Sequence, residues 1–187
     1  MLRTLHRRAA FTVAAAGAAL VLGAGSAFAV GGWTIAAAPP TGQNATLQGV
    51  ATVSDSGAWA VGFHSGNAFT NVGAKALIDN WNGTAWSQVT VPATPGNTAL
   101  LLAVSASSAT DAWAVGRTQV NKSDFEGLVL HWNGAAWSAS AGFASAPSPI
   151  GGASATGVAD ISPTDAYAIG DSAATASGSL VHWNGTA

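Results

Sequence analysis

Two short blocks of this chain each occur three times in the same order, so the fold must give every copy the same kind of surroundings. The first block is Trp59-Ala60-Val61-Gly62, Trp113-Ala114-Val115-Gly116 and Tyr167-Ala168-Ile169-Gly170, with the aromatic residues 54 positions apart. The second is Trp81-Asn82-Gly83-Thr84-Ala85-Trp86, Trp132-Asn133-Gly134-Ala135-Ala136-Trp137 and Trp183-Asn184-Gly185-Thr186-Ala187, with the leading Trp residues 51 positions apart. A unit of about 50 residues that recurs in tandem cannot bury an apolar face alone and must stack on its neighbours.

Each unit divides into four short runs. In the first copy these are residues 50–53, 58–62, 76–81 and 86–91, which we name strands a to d. They favour β-branched and aromatic residues and are bounded by Gly, Asn, Ser and Pro, and no segment carries a long stripe of period 3.6. The Asn82-Gly83 pair between c and d predicts a two-residue hairpin turn, because both residue types tolerate positive φ. Ser162-Pro163-Thr164-Asp165 between a and b predicts a type I turn, with Pro fixing φ at its second position. Four antiparallel strands per repeat define the blade of a β-propeller. The expected fold is therefore all-β, with blades over residues 47–91 and 101–140 and a partial blade over 155–187. A lone d strand is expected over 33–38. Closed propellers usually carry four or more blades. Three blades' worth of chain implies either a shortened chain, which is the preferred reading, or a ring completed by self-association.

The Trp-Ala-Val-Gly strand followed by His131-Trp132-Asn133-Gly134-Ala135-Ala136-Trp137 resembles the secreted Trp-Asn-Gly repeat proteins of actinobacterial type. It is more loosely similar to tectonin-type, kelch-type and Asp-box propeller repeats. The resemblance spans about residues 33–187 and implies a propeller architecture; it is weak on function. Asp55-Ser56-Gly57-Ala58-Trp59 matches part of an Asp box, but the other copies place Asp111 and Asp165 where the first has Gly57.

Residues 1–29 stand apart from the repeats. Arg3, His6, Arg7 and Arg8 precede an uncharged stretch of 17 residues (9–25), and Ala27 and Ala29 supply the small residues of a cleavage site. This order predicts a secretory signal peptide cleaved after Ala29 and an extracytoplasmic product that is not integral to the membrane. The stretch is shorter than the ~20 apolar residues that span a bilayer. Cleavage removes half of the basic residues. Lys75, Arg117 and Lys122 then face eight acidic residues, a net charge of −5 with His neutral. Such a chain neutralises few phosphates, which argues against nucleic acid as a partner. There is no Cys, so disulfides, thiolate metal sites and a Cys nucleophile are excluded. No cofactor and no metal ion are expected.

The two rims of a blade differ in their sequence. The a–b and c–d turns repeat nearly verbatim. The b–c connections (63–73, 117–126, 171–177) and the d–a connections (92–98, 142–154) differ in every copy. Variable loops on a rigid scaffold are where recognition concentrates. The candidate binding residues there are His64, Asn67, Phe69, Arg117, Lys122, Asp124, Phe125 and Glu126. The Trp residues and the His131 and His182 slot are expected to be structural, since they recur with the repeat. A catalytic constellation is not expected. A sialidase-like site would, by resemblance, use several Arg, and the mature chain has only Arg117. Glycoside hydrolysis needs two carboxyl groups across a cleft, and Glu126 is the one Glu, with Asp124 and Asp171 in loops. The expected function is an exported binding module for a glycan or protein. The alternatives are a structural piece of a longer propeller without activity of its own, or a weak glycoside hydrolase or lyase.

Overall fold

The computed structural model describes residues 29–30, 33–34, 44–64, 73–119, 125–140, 154–172 and 177–186. The chain divides into two units, Met1–Ala37 and Ala38–Ala187. In the first, β1 (Ala29–Val30) pairs antiparallel with β2 (Trp33–Thr34). The expected lone d strand thus contributes Trp33 and Thr34 to this short pairing, and its remainder lies outside the described residues. So does the cleavage region before Ala29.

The second unit is all-β and forms a partial β-propeller. Its strands are β3 (Ala45–Ser54), β4 (Gly57–His64), β5 (Lys75–Trp81), β6 (Trp86–Val89), β7 (Thr98–Ser108), β8 (Asp111–Gln119), β9 (Phe125–Trp132), β10 (Trp137–Ala139), β11 (Ser154–Ser162), β12 (Asp165–Ser172) and β13 (Ser177–Trp183). They make three antiparallel meanders: blade 1 is β3-β4-β5-β6, blade 2 is β7-β8-β9-β10, and blade 3 is β11-β12-β13.

Strand a is longer than its β-branched run suggests. In blade 1 it starts at Ala45 and crosses two register irregularities, at Leu47/Gly49 and Thr52/Ser54, and both recur in blades 2 and 3. The first irregularity explains the Gly that closes the first block. A Cβ on Gly62, Gly116 or Gly170 would lie 1.9, 1.9 or 2.2 Å from a strand-a carbonyl oxygen. Only Gly admits that approach.

The blades stack through separate apolar cores. Trp59, Val61 and Ile78 of blade 1 meet Leu101, Val104, Ala112, Ala114, Leu128, Leu130 and Trp137 of blade 2. Trp113, Val115 and Val129 of blade 2 meet Ala155, Ala166 and Ala168 of blade 3, with Val181 and Trp183 packed against them. The alternation of strands decides this: Trp113 and Val115 point to one face of blade 2, Ala112 and Ala114 to the other. Aromatic rings bridge each joint, Trp59 lying 5.0 Å from Trp132 and Trp113 lying 5.3 Å from Trp183.

Candidate functional site

The first rim, formed by the a–b and c–d turns, is fully accounted for by folding. The indole N–H of Trp81, Trp132 and Trp183 donates to the carbonyl of Asp55, Ala109 and Pro163 respectively, at 3.1–3.3 Å. The c–d turn departs from the sequence expectation. Trp81 pairs with Trp86, so the loop is four residues long rather than two, and only its Gly has positive φ (Gly83, 90°). The reason is the Asn side chain. Asn82 Oδ1 accepts the N–H groups of Thr84 and Ala85 at 3.0 and 2.9 Å, and Asn133 does the same for Ala135 and Ala136. That Asx turn leaves one left-handed position to fill. Gly83 also lies against the a–b turn, where a Cβ would stand 2.9 Å from Ser56 Cβ. The second repeated block is therefore a clamp: Trp holds the neighbouring turn, Asn shapes the loop, and Gly lets the two turns touch.

The strand-c slot after the Asp79, Leu130 and Val181 positions is structural as expected. His131 Nε2 lies 2.7 Å from Asp111 Oδ1 and its ring stacks on Trp113 at 4.1 Å. His182 repeats this with Asp165 at 2.8 Å and Tyr167 at 4.4 Å. In blade 1, where Gly57 replaces the Asp, Asn80 replaces the His and donates to the Ala58 carbonyl at 3.2 Å. The two positions change together.

A polar joint between blades 2 and 3 was not foreseen from sequence. Asp160 Oδ2 accepts the Ser107 N–H at 2.8 Å, the Asp160 N–H donates to Ser105 Oγ at 3.0 Å, and Ser107 Oγ donates to Asp111 Oδ2 at 2.6 Å. Burial, with the nearby Asp111 carboxylate adding to it, raises the Asp160 carboxyl to about 6 against the bonds from Ser107. The sole sequence signal was an Asp at a strand position, and partners more than 50 residues away cannot be read from spacing.

The opposite rim carries the sequence-predicted binding residues. At the joint of blades 1 and 2 it is tied together by bonds the sequence did not reveal. Lys75 Nζ donates to the Asn97 carbonyl at 2.9 Å, and the Gly73 N–H donates to Thr98 Oγ1 at 3.0 Å. The buried Thr118 hydroxyl reaches the carbonyls of Pro95 and Thr98. These contacts hold the d–a connection 91–97 on the rim. Beside them, Arg117 places its guanidinium 4.8 Å from the centre of the Phe125 ring, across neighbouring strands where Gln119 pairs with Phe125. Arg117 Nε is buried and has no hydrogen-bond partner. Glu126 is half-buried on the same strand and pairs with Thr118. His64 stands one blade away, 3.2 Å from Gln88 Nε2. Asn67, Phe69, Lys122 and Asp124 lie outside the described residues. Of the eight candidates, the structure thus brings Arg117 and Phe125 together, places Glu126 with Thr118 on the opposite face of the same blade, and leaves His64 apart from all three. Among the described residues, no three His, Asp or Glu side chains converge as a metal site would require, and no helix is long and apolar enough to cross a membrane.

Fold and rim together define the class as a repeat-built, propeller-type all-β protein. No family model and no curated protein matches the chain. Among solved structures it is similar to one described as YCF48 bound to D1 peptide, with a TM-score of 0.49 and 16% identity over 76% of this chain. The chain spans 40% of the length of that protein.

Proposed function

We propose that this chain is an exported, non-catalytic binding module that recognises a protein ligand at the rim formed by the b–c and d–a connections. The observation that carries the reading is the Arg117–Phe125 pair, set on neighbouring strands of which β8 is fixed by the Thr118 contacts. Arg and aromatic side chains held rigid are the residues that anchor protein interfaces. The Arg117 guanidinium, held at the Phe125 ring, suits a carboxylate on the ligand. One face of Phe125 already carries the guanidinium, which makes the ring a poorer platform for a sugar.

The test is capture of binding proteins from the extracellular fraction by the purified chain, beside a glycan array. Arg117→Ala and Phe125→Ala should each cost tenfold or more in affinity for the captured protein without changing the β-sheet circular dichroism. A glycan hit with silent protein capture would reverse the assignment, and silence in both would favour a purely structural piece. N-terminal sequencing of the exported product should begin at Val30.

A further inference from the structure

The joint of blades 2 and 3 carries two carboxyl groups at its a–b turn end. Ser107 stands between them. Its N–H donates to Asp160 Oδ2 of blade 3 at 2.8 Å, and its hydroxyl donates to Asp111 Oδ2 of blade 2 at 2.6 Å. The Asp160 N–H returns across the joint to Ser105 Oγ at 3.0 Å. Asp111 is buried, and His131 Nε2 holds its other oxygen at 2.7 Å. Asp160 Oδ1 is buried and has no hydrogen-bond partner. Nothing of this recurs between blades 1 and 2. There the repeat puts Ala106 in the place of Asp160, Ala51 and Val53 in the places of Ser105 and Ser107, and Gly57 and Asn80 in the places of Asp111 and His131.

Two carboxyl groups bridged by one Ser cannot both ionise cheaply away from water. The elements packed against Asp160 offer its charge little support. From β7 come only the Ser105 and Ser107 groups, and from β8 comes Asp111, a like charge. From β9 comes His131, which Asp111 already engages. From β12 comes Asp165, opposite Ser162 and engaged by His182 of β13 at 2.8 Å. Lys75 and Arg117 are committed at the opposite rim, to the Asn97 carbonyl and the Phe125 ring. A proton on Asp160 removes the repulsion and gives the unpartnered Oδ1 a bond to make toward Asp111. An ionised Asp160 is solvated only when the joint opens to water.

We propose that Asp160 is a proton-operated latch between blades 2 and 3, which holds the joint shut when protonated and lets its a–b turn end open when ionised, while the joint of blades 1 and 2 stays closed. The Asp160 carboxyl titrates at about 6 in the closed joint against 3.8 in water. Between those values the closed joint holds a proton that the open joint has released, so rising pH favours opening. The latch is firmest below 3.8 and has lost its hold above about 6. With those two values, the ratio of open to closed joint rises about tenfold between about pH 5 and about pH 7.5. The latch lies at the opposite end of the blades from the Arg117–Phe125 rim, so either reading can fail alone.

Amide hydrogen exchange of the full chain, followed by NMR, reads the latch directly, because the Ser107 and Asp160 N–H groups bond across the joint. The Ala99 N–H donates to the Ala74 carbonyl at 2.9 Å across the joint of blades 1 and 2 and is the internal reference. Protection factors already remove the intrinsic pH dependence of exchange. They should fall about tenfold at Ser107 and Asp160 between about pH 5 and about pH 7.5 and stay constant at Ala99. Asp160→Asn keeps an acceptor for the Ser107 N–H and adds an amide donor toward Asp111, so it should hold both amides protected at both pH values. Protection at Ser107 and Asp160 that ignores pH, a parallel fall at Ala99, which would mean unfolding of the whole chain, or the same fall in Asp160→Asn would each overturn the proposal.

Discussion

Exchanging the Asp111–His131 pair for the Gly57–Asn80 pair of blade 1 should produce a measurable coupling. Asp111 is buried and accepts from Ser107 Oγ at 2.6 Å, with His131 Nε2 at 2.7 Å. Asp111→Gly removes both bonds, at about 1.5–3 kcal/mol each for a charged acceptor. It adds about 0.5–1 kcal/mol for Gly in a strand, less whatever is regained by relieving Asp160. His131→Asn leaves the buried carboxylate one partner short, at about 1.5–3 kcal/mol. It also forfeits the stack on Trp113, about 0.5–1.5 kcal/mol. About 1 kcal/mol is regained if the new amide bonds the Ala112 carbonyl as Asn80 bonds Ala58. The Asp111–His131 bond is counted in both single variants and lost only once in the double. The relief of Asp160 occurs in both backgrounds and cancels from the cycle. The double variant should therefore be less destabilised than the sum of the singles by about 1–3 kcal/mol. Urea unfolding followed by Trp fluorescence reads all four proteins. Additivity within about 0.5 kcal/mol would refute the claim that the two positions act as a pair.

Three further outcomes follow from the same contacts. The Asp160 carboxyl titrates at about 6 in the fold against an ordinary 3.8, so between those values the folded chain holds a proton that the unfolded chain has released. Its contribution is greatest below 3.8 and is lost as the pH rises through about 6; Asp160→Asn should flatten that part of the thermal stability profile and raise the melting temperature at pH 7. Burial also raises the Asp79 carboxyl, with His64 opposing, and Asp79→Leu, which installs the residue of the Leu130 slot, should stabilise the single chain by about 1–3 kcal/mol in urea. Gly116→Ala should cost more than about 2 kcal/mol, because its Cβ would sit 1.9 Å from the Leu100 carbonyl oxygen and a backbone atom must yield; a loss below about 0.5 kcal/mol in the same assay would contradict the close approach.

The blades were legible in the sequence because their signals are local. The recurrence of Trp59, Trp113 and Tyr167, the Pro163 turn and the Asn-Gly pairs each lie within a few residues of what they determine. The misread c–d turn shows the limit of that locality. The Asn-Gly preference predicts a backbone role for Asn82, yet its side chain shapes the loop, and a dipeptide preference does not separate the two. Strand a was underestimated because Gly49 and the small residues around it carry little β preference, while the pairing that extends it comes from β4. The site was less legible. Arg117 and Phe125 could be picked out as variable-loop residues, but their cross-strand stacking depends on register, and His64 shares their loop class without sharing their blade. The Thr118, Lys75 and Asp160 contacts join residues 20 or more positions apart, and nothing in the pattern of one repeat specifies them.

The two larger apolar cores have no member in common: one belongs to blades 1 and 2, the other to blades 2 and 3. Mechanical or thermal damage should therefore propagate as it does along a stack of coins, where each loosened piece exposes one neighbour only. Loss of blade 3 would strip Trp113 and Val129 of their cover while Trp59 and Trp137 stay packed. Unravelling from that end would proceed in steps of one repeat, and blade 2, gripped on both sides, would be the last to exchange its amide hydrogens.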